Sequence, residues 1–191
     1  MNIDFARCEF GQEEKDAVNR VLSGYWLASG KENEAFEKEF AEYVGAEHAI
    51  CVNSGSSANL IAMRVLDLAR NAKVLTSACG FPATLAPIIH CGFDPVLVDY
   101  DLATHNISTK EVMGNLEGIR GIIFAHTMGN PVSERILEHA WELNIPVIED
   151  CCEAVGSRYS FGSVGSKSTL ATFSFYPAHQ MTALGGGGMI V

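Results

Sequence analysis

The sequence predicts an α/β fold whose mostly parallel β-sheet carries helices on both faces. Three observations lead there. Short apolar runs at 49–52, 73–78, 95–98, 119–125 and 145–148 alternate with stretches whose apolar residues recur at helical spacing. Small-residue turns, Asn53-Ser54-Gly55-Ser56-Ser57 and Gly80-Phe81-Pro82-Ala83-Thr84, stand where strand gives way to helix. The run at 145–148 ends in two acids, Glu149 and Asp150, the pattern of a buried strand delivering a carboxylate to the ligand-binding end of such a sheet. At 191 residues and 48% hydrophobic content, the length fits one domain with a real core.

Each element follows from local chemistry. Residues 12–22 place Val18, Val21 and Leu22 on one side with charges elsewhere and stop at Gly24, a short amphipathic helix. Tyr25, Trp26 and Leu27 follow in a glycine-bounded loop. They read as a packing anchor, with contact to a partner subunit or ligand as the sharper alternative. Phe36, Phe40, Tyr43 and Val44 repeat at helical spacing through 34–44, and Gly45 is the natural stop. The strand at 49–52 leads through Asn53–Ser57 into a helix over 58–68, and the free N–H groups of such a helix start suit a phosphate. Serine-rich turns also cap helices everywhere, so the turn alone is weak evidence.

The strand at 73–78 turns at Gly80–Thr84 into a helix reaching His90, with Pro82 well placed near its start. Phe81 at that corner is either core or ligand wall. Strands follow at 95–98, closed by Asp99, and at 119–125, closed by His126 to Pro131. A helix over 135–143 leads to the Asp150 strand. A further apolar stretch at 170–176 holds Ser174 and is followed by Pro177, His179 and the glycines 185–188. Met189 to Val191 read as a strand just beginning, which suggests the front part of a longer protein.

The totals exclude several function classes. The net charge of −10, without a basic run, argues against a nucleic-acid surface. No apolar run is long enough to span a bilayer and Met1 to Phe10 has no signal-peptide shape, so the expected location is cytoplasmic. Cys8, Cys51, Cys79, Cys91, Cys151 and Cys152 show neither disulfide-scaffold spacing nor a CxxC pair. Neither a GxGxxG turn nor a P-loop is present. His126 is expected to be structural. A serine-rich turn, an acid at a strand end, an aromatic corner and Ser174 together describe a site for a flat, charged, phosphorylated aromatic. A pyridoxal-type cofactor has those needs: a carboxylate for its ring nitrogen, a stacking face, and donors for its phosphate. The lysine that usually holds it covalently is missing, and His179 stands in its place.

The stretches WLASGKENEAFEKEFAEYVG, NSGSSANL, GFPATLAPIIHCG, AHTMGNP, VIEDCCEAVG and SFYPAHQMTALGGGG resemble the DegT/DnrJ/EryC1/StrS sugar aminotransferase family of fold-type-I pyridoxal phosphate enzymes. The resemblance implies that residues 1–191 form the large, cofactor-binding domain of an aspartate-aminotransferase-like fold, with a C-terminal small domain beyond Val191. Aminotransferases of the group carry SFxxxK; the exchange to His179 marks the branch of C-3 dehydratases that act on nucleotide-linked 4-keto-6-deoxyhexoses in dideoxysugar and lipopolysaccharide biosynthesis, such as those using GDP-4-keto-6-deoxymannose or CDP-4-keto-6-deoxyglucose.

In that chemistry pyridoxamine phosphate (PMP), or pyridoxal phosphate (PLP), is held without a covalent bond. His179 would remove a proton from the cofactor's C4′ carbon and help expel the C-3 hydroxyl, a role suited to a pKa near neutrality. Asp150 would pair with the ring nitrogen, Phe81 would stack on the ring, Gly55, Ser56, Ser57 and Ser174 would hold the phosphate, and Glu153 would stand near the ring hydroxyl. The resemblance further implies a homodimer with shared sites, a nucleotide-diphosphate sugar substrate and a reductase partner. Relatives acting on CDP sugars bind a 2Fe-2S cluster through cysteines; Cys151 or Cys152 could supply one ligand in a longer parent protein, or both are simply buried thiols. Two alternatives stay open: a sugar aminotransferase using a displaced lysine, for which only Lys167 lies nearby, and a non-catalytic family member. The glycine run also lacks the acid that the family pattern often places within it.

Overall fold

The computed structural model describes residues 8–24 and 26–191. The chain runs α1 (Gln12–Ser23), α2 (Lys31–Val44), β1 (Ile50–Val52), α3 (Gly55–Val65), β2 (Lys73–Ser77), α4 (Pro82–His90), β3 (Asp94–Val98), α5 (Thr109–Gly114), β4 (Ile119–Ala125), a 3-10 turn (Thr127–Gly129), α6 (Glu134–Glu142), β5 (Val147–Asp150), a small hairpin of β6 (Arg158–Tyr159) and β7 (Gly162–Ser163), β8 (Leu170–Ser174) and β9 (Gly188–Ile190). Seven strands form one sheet in the order β1-β9-β8-β5-β4-β2-β3. The pairs from β3 through β8 are parallel, while β9 lies antiparallel between β8 and β1.

The central strands explain the two helical layers. β5 is buried along its whole length, and its side chains alternate between faces as a strand requires. Val147, with Ile122 and Phe124 of β4, joins the core under α2, α5 and α6. Ile148 and Ile123 point the other way, against Ala62 and Met63 of α3 and Ile88 of α4. Each such isoleucine contributes roughly 1.5–3 kcal/mol by leaving water, so the sheet is held from both sides. On the first face α2 lays Phe40 edge-on against Phe173 of β8, with ring centroids 4.9 Å apart. Gly45 ends α2 in the left-handed conformation (φ 85°), its N–H donating to Ala41 O at 2.9 Å.

The structure departs from the sequence reading in several places. Helix α3 starts at Gly55 rather than 58, because the Ser54 hydroxyl accepts the Ser57 N–H and caps it there. The acids close β5 from inside the strand rather than beyond it. Helix α5 and the β6–β7 hairpin fall in segments that gave no periodic signal. Trp26 and Leu27 are not a packing anchor: they are 67% and 72% exposed, and the indole N–H donates only to Ser29 O in its own turn, at 3.0 Å. Tyr25, the third residue of that group, lies outside the described residues. No helix of the described residues is long and apolar enough to cross a membrane.

Candidate active site

The carboxyl end of the sheet opens into a cleft of about 730 Å³. Seven of the eight sequence-predicted site residues line it: Gly55, Ser56, Phe81, Asp150, Glu153, Ser174 and His179. They arrive from five places in the chain, namely the start of α3, the corner before α4, the end of β5 and the loop after it, the end of β8, and the loop after β8. Ser57 is the exception. Its N–H is taken by Ser54 Oγ and its hydroxyl accepts from Ser54 Oγ, both at 3.1 Å, so it belongs to the helix cap rather than the cleft wall.

Close backbone approach builds the end of the cleft where α3 begins. A Cβ on Gly55 would lie 2.7 Å from both Cys152 Sγ and Ser174 Cβ, so only glycine lets α3 begin against β8. Gly188 is equally constrained, since a Cβ there would overlap the Ser54 carbonyl. The first N–H groups of a helix have no intrahelical acceptor. Here Ser54 takes those of Ser57 and Ala58, leaving those of Gly55 and Ser56 beside the Ser174 hydroxyl, itself an acceptor for Tyr176 N at 3.3 Å. The positive end of the helix dipole makes this helix start, packed tightly against Cys152 and Ser174, attractive to an anion.

The acidic centre is Asp150, 5% exposed. Its Oδ2 accepts from Asn59 Nδ2 and Thr84 Oγ1, both at 2.7 Å, and its Oδ1 accepts the Cys152 N–H at 3.2 Å. Neither Asn59 nor Thr84 was singled out from the sequence; a polar residue on the apolar side of α3 was the available signal. Phe81 is 71% exposed at the N-cap of α4, so of its two readings the structure takes the cleft wall over the core. The Glu153 carboxylate accepts the Met128 N–H at 2.8 Å, and its backbone carbonyl accepts from the Gln180 side chain. His179 is half-buried, its ring edge-on to Tyr176 with centroids 6.1 Å apart. Among the described residues no side chain or backbone group hydrogen-bonds its imidazole. Lys167 is exposed, and no lysine is among the residues lining the cleft.

Behind β5 the neighbouring acid is fully enclosed. Glu149 accepts from His126 Nε2 at 2.9 Å, Tyr159 O–H at 2.8 Å and Gly165 N–H at 3.2 Å. His126 Nδ1 accepts the Val132 N–H at 3.0 Å, so its ring proton sits on Nε2, where it donates to Glu149. His126 is therefore structural, as expected. His126, Glu149 and Cys151 stand close enough to hold a metal ion, but the first two already satisfy one another. Burial, with the Glu149 and Asp150 carboxylates, pushes the Cys151 thiol well above its ordinary range, and the thiolate is what binds metal. Cys151 is enclosed in the core while Cys152 lines the cleft, and burial with the Asp150 carboxylate raises the Cys152 thiol too, so both are held as neutral thiols.

This arrangement has counterparts among known proteins. The chain is 41% identical over 191 residues to dTDP-4-dehydro-2,6-dideoxy-D-glucose 3-dehydratase of Saccharopolyspora spinosa, covering 94% of this chain and 41% of that one. It is 39% identical over 183 residues to the lipopolysaccharide biosynthesis protein RfbH of Salmonella typhimurium, covering 91% and 41%. The chain thus spans about two-fifths of the length of these curated relatives. Among solved structures, the aminotransferase from Psychrobacter cryohalolentis superposes with a TM-score of 0.89 at 35% identity, covering 96% of this chain and 47% of that one. A mutant GDP-4-keto-6-deoxymannose-3-dehydratase with bound GDP-perosamine superposes with a TM-score of 0.95 at 25% identity, covering 100% and 51%. The fold is that of the fold-type-I, aspartate-aminotransferase-like enzymes. The family match runs over residues 9–191. The chain belongs to the DegT/DnrJ/EryC1/StrS aminotransferase family.

Proposed function

We propose that this chain forms the cofactor-binding half of a PMP- or PLP-dependent enzyme that removes the C-3 hydroxyl of a nucleotide-linked 4-keto-6-deoxyhexose. The observation that carries the proposal is His179: an imidazole without a hydrogen-bond partner among the described residues, on a cleft wall that contains no lysine. The residues present fit such a cofactor, since the open start of α3 beside Ser174, the cleft-lining carboxylate and the exposed aromatic answer its phosphate, ring nitrogen and ring face. When bound, the cofactor supplies an electron sink for a carbanion.

The chain's own groups do the rest. The Gly55 and Ser56 amides and the Ser174 hydroxyl hold the phosphate, with Ser57 acting through the cap that fixes α3. Asp150 Oδ1 accepts the ring N–H, Phe81 covers the ring, and Glu153 stands near the ring hydroxyl. His179 moves a proton at the cofactor's C4′ carbon and delivers one to the departing C-3 hydroxyl, work for which an imidazole near neutral pH is suited. A homodimer and a reductase partner belong to the same proposal.

The aminotransferase reading draws on the Psychrobacter likeness and would need a lysine in reach of the cofactor; Lys167 is exposed and absent from the cleft lining. The test is borohydride reduction of the chain loaded with PLP, followed by mass spectrometry. Alongside it, the PMP-loaded chain is incubated with a nucleotide-linked 4-keto-6-deoxyhexose. Retained cofactor without a covalent adduct in the first arm, together with loss of the C-3 oxygen from the sugar as PMP is converted to PLP and its nitrogen leaves as ammonia in the second, is the expected result. A reduced adduct on Lys167 would sink the dehydratase in favour of the aminotransferase; no retained cofactor on this chain, with retention by a longer parent protein, would mean that these residues form only half a site, and none by either would leave a non-catalytic fold.

A further inference from the structure

Three residues outside the proposed chemistry dictate how Asp150 is presented. Oδ2 receives two donors, Asn59 Nδ2 from α3 and Thr84 Oγ1 from α4, whereas Oδ1 receives only the longer Cys152 N–H bond at 3.2 Å. A carboxylate oxygen has room for two good donors. Oδ2 is therefore full, and Oδ1 keeps an open lone pair for a donor in the cleft.

The wiring also has a direction. Thr172 Oγ1, on β8, donates to Asn59 Oδ1 at 2.5 Å, and Asn59 Nδ2 donates to the Ala83 carbonyl at 3.1 Å as well as to Asp150. Turning the amide over would set its oxygen against two acceptors, Ala83 O and Asp150 Oδ2, so the amide is locked with its N–H groups toward the acid. All four side chains, Asn59, Thr84, Asp150 and Thr172, are buried.

We propose that Asn59, oriented by Thr172 and assisted by Thr84, is a positioning residue. It fills Oδ2 so that Asp150 offers Oδ1 alone to a cationic ring N–H in the cleft. The inference rests on the pyridoxal-type ligand proposed above. It predicts that the site selects ligands with a protonatable ring nitrogen at that end and discriminates against ligands with a carbon there.

The test measures pyridoxamine phosphate binding to the full chain and follows the absorbance of the bound probe across pH. Asn59→Leu weakens binding by about tenfold or more, since it removes a hydrogen bond to a charged group. The same variant shifts the pH midpoint of the bound-probe absorbance, which a loss of folding stability alone would not do. The exchange Asn59→Asp with Asp150→Asn keeps one amide and one carboxylate in contact, so much of the stability lost by Asn59→Asp alone returns, while binding does not. Folded Asn59→Leu with unchanged affinity and midpoint, or restored binding by the exchange, overturns the proposal.

A ligand-free reading separates this inference from the cofactor reading itself. Slow solvent exchange of the Asn59 side-chain amide, quickened in Thr172→Val, supports the wiring even if the unaltered chain fails to bind pyridoxamine phosphate. Fast exchange in the unaltered chain refutes it.

Discussion

Glu149 and Asp150 are consecutive, both acidic and both buried, yet they sit in opposite kinds of environment. The period-two alternation of β5 sends Glu149 to the side covered by α2, α5 and α6, where His126, Tyr159 and Gly165 surround it with donors. It sends Asp150 to the side of α3 and α4, where donors close one oxygen and leave the other beside a cleft. The first acid ties core elements together, and the second borders the cleft. Neither burial nor donor count separates these two acids, since each takes two donors on one oxygen and one on the other; what separates them is that Asp150 borders the cleft and Glu149 does not.

The largest effect that would break this contrast is on stability. Glu149→Ala strands the His126 Nε2–H, the Tyr159 hydroxyl and the Gly165 amide without an acceptor, and is expected to cost about 3–5 kcal/mol in chemical unfolding. A loss below about 1 kcal/mol would show that water replaces the carboxylate and that the enclosed side is less closed than described. Next comes Asp150→Asn, which keeps the size and the contacts to Asn59 and Thr84 but removes the charge. Pyridoxamine phosphate affinity is expected to fall roughly a hundredfold, with Tm moving by only a few degrees. A large Tm drop without loss of affinity would put Asp150 in the same class as Glu149.

The smallest effect is a pH dependence. Burial first, then nearby carboxylates, raise the thiols of Cys151 and Cys152 and the phenol of Tyr159 above their ordinary values of 9.0 and 10.0. A raised folded-state value means the neutral form is favoured by folding. That contribution is complete below about pH 9 and is lost as pH climbs beyond the unfolded values. Melting curves taken from pH 7 upward should therefore stay level and then fall in alkali. Cys152→Ala should soften the fall on the cleft side only, and an unchanged curve would remove that thiol from the account.

Much of this was readable from residues. Apolar runs between helical repeats gave the alternating layers, and Asp150, Ser174 and His179 could be aimed at one cleft because each ends or follows a strand. Gly55 could be named because small residues mark a helix start. What could not be read was anything decided by atoms meeting across the sheet. Ser57 reads as a phosphate ligand beside Ser56, and two hydrogen bonds with the Ser54 cap set it off the cleft lining. Asn59 looks like one more helix residue until Thr172, far along the chain, fixes its amide. Cys151 and Cys152 look like a pair, and the turn after β5 gives one to the core and the other to the cleft. Trp26 and Leu27 look like packing residues because they are large and apolar, but among the described residues they stay mostly exposed.

The antiparallel strand β9 carries a consequence for how the protein is made. Ile50 of β1 pairs with Ile190 of β9, 140 positions later in the chain, and β1 reaches the rest of the sheet only through that strand. Pairings this distant in sequence form slowly, because a long loop must close before any contact rewards it. The wall that carries Ser54 and Gly55 therefore hangs on a segment synthesised long after it. A nascent chain stopped short of Gly188 would expose an unpaired edge at β8, a surface for aggregation or chaperone capture.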